Sequence, residues 1–250
     1  MSKLAGVTIA RNAVKYDYCI KECIKSLQEC CDFVIVAYVD SDDGTIEEIN
    51  SVLDYKTKVL HLSEDDWNVF NDKRRLSYIT NIAIEEADRL GFSYVLYVQA
   101  DEVLHESSYL PIRFAMANNN PAYLVRRANL WKTPDFELNV PDERKPCSEY
   151  VVRLAKSCYR AYDDAESLLA PSVAEPDILI VHYGFVRKKE VMKSKIINMQ
   201  EGVFSMCSHD PKLDEMDVFN PDAWFDPTKD LKRIDFTHPK VSAEWVKQRP

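Results

Sequence analysis

Short apolar runs and periodically spaced apolar residues alternate along the first half of the chain. Four runs rich in β-branched or aromatic side chains predict strands, at residues 7–10, 33–39, 58–62 and 94–98. Between them, apolar residues recur at steps of three and four, which predicts helices at residues 19–31, 46–53 and 76–90. Because strand and helix alternate with short connections, this half predicts an α/β fold with a mainly parallel sheet flanked by helices.

The rhythm changes after Pro111. Apolar runs at residues 122–126, 150–154 and 178–183 predict further strands, but polar segments containing proline separate them. Mixed or antiparallel strands joined by long loops fit this half better. A helix is predicted over residues 188–201, and the tail from Ser208 is predicted to wrap the domain. The chain is therefore predicted to be a single domain, residues 1–250, with halves at about 1–110 and 111–187 and a C-terminal helical or irregular extension at about 188–250.

Composition and charge exclude several classes of protein. Of 250 residues, 46% are hydrophobic and 29% charged, so a full core can form. The 41 acidic residues outnumber the 32 basic ones, for a net charge of −9, which disfavours nucleic acid as a partner. The five glycines have neither dinucleotide-binding nor P-loop spacing. No apolar run approaches the roughly 20 residues of a transmembrane segment.

Four of the seven cysteines fall in the first predicted helix, at positions 19, 23, 30 and 31. Their spacing places them on its buried stripe, where a thiol behaves as a small hydrophobic group. The N-terminal residues do not have the pattern of a signal peptide, so we expect reduced thiols in a protein that is cytoplasmic or peripheral at a membrane.

Polar residues follow three of the predicted strands directly, at Arg11–Asn12, at residues 40–43 and at residues 99–102. Ligands of open α/β sheets bind beyond the carboxyl ends of the strands. If these strands are neighbours, the three groups converge, and gathered carboxylates need a cation or hydrogen-bond donors beside them. The alternative is that each acidic group forms a solvated turn or a helix N-cap.

These three landmarks resemble family 2 glycosyltransferases with the GT-A fold. The first is the run Ile9 to Asn12, where the family has a strand ending in an Arg-Asn pair. The second is the run Val39 to Thr45, a shortened form of the family's acidic stretch. The third is the run Val98 to Glu102, which matches the family's D-A-D-E. The resemblance covers about the first half of the chain, with the landmarks in the expected order.

The resemblance implies transfer of a sugar from a nucleotide-diphosphate donor, a UDP- or GDP-sugar. It makes residues 1–110 the half that binds the nucleotide sugar and residues 111–187 the half that binds the acceptor. The residues it assigns to the donor are Ala10, Arg11, Asp40, Lys73, Arg75, Gln99, Ala100 and Asp101. For the run of basic residues 73–75, an exposed charge cluster is the alternative. Asp101 is expected to bind Mn²⁺ or Mg²⁺, which bridges the diphosphate and stabilises it as it leaves.

One position departs from the family pattern, because Gln99 replaces the first acid of D-x-D. An amide keeps an oxygen ligand but loses the charge. Metal binding would then depend on Asp101, phosphate, water and one more ligand, for which His182 is the candidate. A structural, hydrogen-bonded histidine is the alternative for His182.

An inverting transfer also needs a general base to deprotonate the acceptor hydroxyl. The candidate acids between Asp101 and His182 are Glu137, Asp142, Glu143 and Glu149. No spacing selects among them, and Glu143 is named as the predicted base. The sequence thus predicts a metal-dependent, inverting glycosyltransferase, hexosyltransferase-like, that acts on a glycan or lipid-linked acceptor. The alternatives are a noncatalytic nucleotide- or carbohydrate-binding protein with a decayed D-x-D site and a nucleotidyltransferase on a related fold.

Overall fold

The computed structural model describes residues 2–140, 148–203 and 229–250. Its strands are β1 (Leu4–Ala10), β2 (Phe33–Val39), β3 (Thr57–Leu62), β4 (Tyr94–Tyr97), β5 (Glu102–Leu104), β6 (Ala122–Trp131), β7 (Phe136–Leu138), β8 (Tyr150–Lys156), β9 (Arg160–Ala161), β10 (Leu168–Leu169), β11 (Ser172–Phe185) and β12 (Leu231–Arg233). Its α-helices are α1 (Ile20–Cys30), α2 (Thr45–Asn50), α3 (Glu64–Trp67), α4 (Arg74–Arg89), α5 (Tyr109–Ala117), α6 (Lys189–Ile197) and α7 (Ala243–Val246).

One large mixed sheet organises the described part of the chain. Strands β4, β1, β2 and β3 are neighbours in that order and all pair parallel, as the alternating pattern predicts. On the other side of β4, strand β8 pairs antiparallel with both β4 and β6. Strand β11 then pairs parallel with β6 and antiparallel with β5. The predicted fold class, an α/β sheet flanked by helices with mixed strands in the second half, is confirmed.

Both faces of the parallel strands are covered. In β2, Val34 and Val36 belong to the core on the face of α1, while Ile35 and Ala37 belong to the core on the face of α4. Successive side chains of a strand point to opposite faces, so a strand covered on both faces must be apolar throughout. The uninterrupted apolar run of β2 follows from this arrangement.

Helix α1 buries the clustered cysteines as predicted. Cys19, Cys23, Cys30 and Cys31 are buried, and each is a free thiol. Burial raises the pKa of the Cys19 thiol well above its ordinary value, so this thiol stays protonated and packs as an apolar group.

Two elements of the second half differ in extent from their predictions. The helix predicted over 188–201 ends at Ile197 and continues as a π-helical turn, Asn198–Val203. Strand β11 begins at Ser172, six residues before the predicted start. Its first residues are exposed and pair with β6 through the backbone, so no apolar run marks them.

The described part of the tail, residues 229–250, packs against the sheet. Strand β12 pairs antiparallel with β7, and the ring of Trp245 lies 5.0 Å from that of Tyr183 on β11. Arg249 donates to Asp17 at 2.6 Å and lies over the Trp245 ring. In the parts of the chain that the structure describes, no helix is both long and apolar enough to cross a membrane.

Candidate active site

A cavity of about 490 Å³ lies beyond the carboxyl ends of β1, β2 and β4. This is the edge at which ligands of parallel sheets bind, and the volume lies within the range of small-molecule pockets. Helices α4 and α6 and strands β6 and β11 complete its walls. Its apolar and aromatic lining residues include Ile9, Val39, Leu76, Ile79, Phe185, Met192, Ile196 and Met199. The polar residues in the walls lie in separate groups.

The first polar group surrounds Trp67, the last residue of α3. The guanidinium of Arg11 lies 4.7 Å from the Trp67 ring centroid, and that of Arg75 lies 5.2 Å from it. Arg11 also donates to both carboxylate oxygens of Glu64, at 3.0 and 2.9 Å. Its Nε is buried and has no hydrogen-bond acceptor among the described residues. A cation-flanked indole in a cavity wall suits a flat, hydrogen-bonding ring such as a nucleobase.

Three of the residues predicted to bind the donor lie outside this cavity lining. Asp40 is exposed, and Arg75 contacts Trp67 in the cavity wall without lining the cavity itself. Lys73 pairs with Asp163 at 2.5 Å. Ala10, Arg11, Gln99, Ala100 and Asp101 do line the cavity, together with His182. The binding roles assigned to all of these residues stay predictions.

The turn that follows β4 is held by a buried carboxylate, Glu102. Its Oε2 accepts a hydrogen bond from the backbone N–H of Gln99 at 2.8 Å, and its own backbone N–H donates to the backbone carbonyl of Gln99 at 2.9 Å. Its Oε1 accepts from Arg153 at 2.8 Å and from Arg127 at 3.4 Å. Because Glu102 and Arg153 are fully buried, this network fixes the turn that presents Asp101 to the cavity.

Asp101 lies between an imidazole and an ammonium. Its Oδ2 is 3.6 Å from His182 Nε2 and accepts a hydrogen bond from Lys195 Nζ at 2.9 Å. Burial by itself raises the pKa of Asp101, but Lys195 and His182 outweigh it and hold that pKa well below its ordinary value. Asp101 is therefore a carboxylate paired with a lysine that the sequence analysis did not select.

Hydrogen bonds to Asn129 fix the tautomer of His182. The amide nitrogen of Asn129 donates to the Ser148 carbonyl, so its Oδ1 faces His182 Nδ1 at 2.9 Å. An amide oxygen only accepts, and Nδ1 therefore carries the proton. Burial lowers the pKa of His182, and the charge and hydrogen bond of Asp101, which lies beside Nε2, oppose that shift.

The side chains gathered here do not form a binding site for a divalent cation in their present arrangement. Asp101 and His182 supply an oxygen and a nitrogen ligand, but the ammonium of Lys195 is already bonded to the Asp101 oxygen that faces His182. In residues 2–140, 148–203 and 229–250, no group of three or more His, Cys, Asp or Glu side chains is placed to hold a metal ion. The use of Mn²⁺ or Mg²⁺ stays a prediction.

The absence of a side chain at Gly184 makes room for the ring of His182. A Cβ at position 184 would overlap the ring at Nε2 and Cε1, two residues earlier on the same strand. We expect Gly184→Ala to displace the imidazole from Asp101 and Asn129 and to lower the melting temperature. Thermal denaturation and calorimetry check this. Gly91→Ala is the control, because its Cβ would meet nothing within 4 Å and its cost is the strain of alanine at a φ of +80°, a conformation that Gly184 does not have. An equal loss of stability in the two variants would contradict the steric account.

Two further acids line the cavity, Asp164 and Glu166, in the loop between β9 and β10. Glu166 accepts from Arg127 and from the Ser148 amide, contacts that hold its pKa below its ordinary value although burial opposes them. The hydrogen bond described for the Asp164 carboxylate comes from the backbone amide of Glu166, at 3.2 Å. Asp163 and Ala165 have φ values of 56° and 59°, in the left-handed region. Strained backbone of this kind clusters at functional sites.

The structure describes two of the four acids considered as general bases from the sequence. Glu143 and Asp142 fall outside the described residues. Glu137 is buried and pairs with Arg126 at 2.8 Å and with Lys232 at 2.9 Å. Glu149 lies 3.6 Å from the same Arg126. Neither Glu137 nor Glu149 lines the cavity, and the assignment to Glu143 stays a prediction.

Comparison with known proteins gives partial likenesses of fold. No family model and no curated protein matches the chain. The structure of S. aureus TarS 1-349 in complex with UDP is 14% identical, with a TM-score of 0.46, over 91% of this chain and 73% of that one. A longer TarS structure is 16% identical, with a TM-score of 0.45, over 79% of this chain, which spans only 40% of its length. 4-diphosphocytidyl-2C-methyl-D-erythritolsynthase from Anaerococcus prevotii is 12% identical, with a TM-score of 0.40, over 62% of this chain and 70% of that one. Likeness at this level does not establish a shared activity.

Proposed function

We propose that the protein is a glycosyltransferase that moves a sugar from a nucleotide-diphosphate donor to an acceptor hydroxyl. The observation that carries the proposal is that two different groups lie in the wall of one cavity. One is an indole flanked by guanidinium groups, and the other is a carboxylate beside an imidazole and an ammonium. Arg11 and Trp67 form the first, and Asp101, His182 and Lys195 form the second. A nucleotide sugar has matching parts, because it joins a flat base, which suits the first group, to an anionic diphosphate, which suits the ammonium of the second.

The chemistry assigned to the cavity walls is a displacement at the anomeric carbon of the sugar. The bond from that carbon to the diphosphate oxygen breaks, and the electron pair stays on the leaving diphosphate. The acceptor oxygen forms the new bond and loses its proton to a carboxylate. Among the described carboxylates in the wall, Asp101 pairs with Lys195 and Glu166 pairs with Arg127, whereas Asp164 has no described ion pair, and we assign it this role. Inversion follows if the acceptor attacks opposite the leaving group.

The acceptor is proposed to be a glycan or lipid-linked hydroxyl, as the sequence analysis implies. A nucleotidyltransferase would consume a nucleoside triphosphate and a sugar phosphate and release pyrophosphate. A noncatalytic binding protein would hold the nucleotide with no turnover. The three classes are therefore separable by their products.

The test is a binding and turnover survey of the purified full chain. UDP, GDP, CDP and ADP are titrated calorimetrically, and UDP- and GDP-sugars are then assayed for hydrolysis and transfer, each with Mn²⁺ and with EDTA. We expect one nucleoside diphosphate to bind and its sugar to be hydrolysed or transferred. Binding without turnover would favour the noncatalytic class. The absence of binding under every condition would overturn the proposal.

A further inference from the structure

The ammonium of Lys195 is held in a fixed position by its contacts. Its Nζ donates to Asp101 Oδ2 and to the Gly184 carbonyl, both at 2.9 Å. The same atom lies 5.2 Å from the ring centroid of Tyr18 and 5.6 Å from that of Phe185. Anionic, carbonyl and aromatic partners each attract an ammonium, and together they fix its position.

These partners come from distant parts of the chain and converge on the cavity. Tyr18 precedes α1, Asp101 follows β4, and Gly184 and Phe185 lie near the end of β11. Lys195 is on α6, and 94 residues separate it from Asp101. Lys195, Asp101, Tyr18 and Phe185 all line the cavity although Lys195 is only 9% exposed. The positive charge is therefore held at the wall and not carried on a solvated side chain.

A second cation strengthens the local positive balance. Arg187 is buried, donates to the carbonyls of Tyr16 and Tyr183, and lies 5.2 Å from the Tyr18 ring centroid. Arg187 also helps to hold the pKa of Asp101 below its ordinary value, so its charge acts at this end of the cavity. An anionic diphosphate entering this end would meet the ammonium of Lys195 in the wall, with the guanidinium of Arg187 behind it.

We propose that the Lys195 ammonium is the resident cation of the site, binding the diphosphate of the donor and stabilising its charge as it leaves, without a divalent metal ion. The inference rests on the proposed function. It explains why the Asp101 oxygen beside His182, expected to bind a metal, is bonded to an ammonium instead. Asp101 then serves to position Lys195, and it does not anchor an ion.

The experiment measures binding of inorganic pyrophosphate and of UDP by calorimetry, in EDTA and in Mn²⁺, for the wild type and Lys195→Met. The wild type is expected to bind both probes equally well in EDTA and in Mn²⁺. Lys195→Met is expected to bind about ten- to a hundredfold more weakly in EDTA. Mn²⁺ is expected to recover much of this loss, because Asp101 and His182 then face the cavity without a bonded ammonium. Lys189→Met, an exposed lysine at the start of the same helix, is the matched control and should bind as the wild type does.

Three results would overturn the inference. They are wild-type binding that requires Mn²⁺, wild-type affinity of Lys195→Met in EDTA, and equal weakness of Lys195→Met with and without Mn²⁺, which would assign the lysine a structural role. If no probe binds any variant, the proposed function fails as well, and this separates the two failures.

Removal of Lys195 alone leaves a buried carboxylate without its partner and lowers stability. The double variant Asp101→Asn, Lys195→Met removes both charges, so binding can still be measured without the ammonium if the single variant does not fold. It is expected to bind weakly in both conditions, since it lacks both the ammonium and the carboxylate. Wild-type affinity of the double variant in EDTA would equally overturn the inference.

Discussion

Replacing Glu102 with alanine is expected to lower the free energy of unfolding by about 3–5 kcal/mol, the usual cost of stranding a buried charge. Glu102 is fully buried and accepts hydrogen bonds from two buried arginines, Arg153 and Arg127. The Nε and Nη1 atoms of Arg153 have no acceptor among the described residues, so Glu102 is its main counter-charge. The cost arises from the arginines that remain as well as from the bonds that are lost.

Chemical denaturation of the wild type and the variant measures this difference. Glu244→Ala is the matched control, because Glu244 forms an exposed pair with Lys247 and should change stability by less than about 0.5 kcal/mol. The double variant Glu102→Met, Arg153→Met should recover part of the loss, since it removes both charges of the closest pair. A loss in Glu102→Ala as small as that of the control would show that the network is not a stability element.

The parallel half of the sheet was predictable because its signal is local. The apolar runs of β2 and β4 record burial on two faces, and the apolar stripes of α1 and α4 record burial on one. The short edge strand β12 carries no such record. It is three residues long and is defined by its pairing with β7, about 95 positions earlier in the chain, so no window of the sequence reveals it.

The expected convergence of three strand ends holds for two of them. The loop after β1 and the turn after β4 both line the cavity, whereas no residue from 40 to 43 does. Asp43 instead accepts hydrogen bonds from the Thr45 amide and hydroxyl and from the Lys15 amide. This is the turn role considered as the alternative for the acidic stretch. A carboxylate that stabilises local backbone and one that faces a ligand have the same sequence signature, and only the fold separates them.

Lys195 shows what a sequence signal can and cannot give. It falls among Met192, Ile196 and Met199 in the apolar register of the helix predicted over 188–201, which indicates a buried lysine. A buried lysine needs an anionic partner, but nothing local indicates which one. Asp164 is harder still, because the direction of its side chain depends on the left-handed backbone of Asp163 and Ala165. Neither residue favours that conformation enough to predict it.

Replacing Asp164 with asparagine is expected to lower kcat by about 10²- to 10⁴-fold, the usual contribution of a general base, and to leave donor affinity unchanged. Asparagine keeps an oxygen that accepts from the Glu166 amide, so the loop is retained while the proton acceptor is lost. Asp163→Asn is the matched control. Asp163 also has a positive φ, which asparagine tolerates, but it pairs with Lys73 and does not line the cavity, so kcat should stay close to wild type. Steady-state transfer kinetics on the donor identified by the binding survey give kcat and KM for each variant. Wild-type kcat in Asp164→Asn together with its loss in Glu143→Gln would move the base to Glu143, as the sequence predicts.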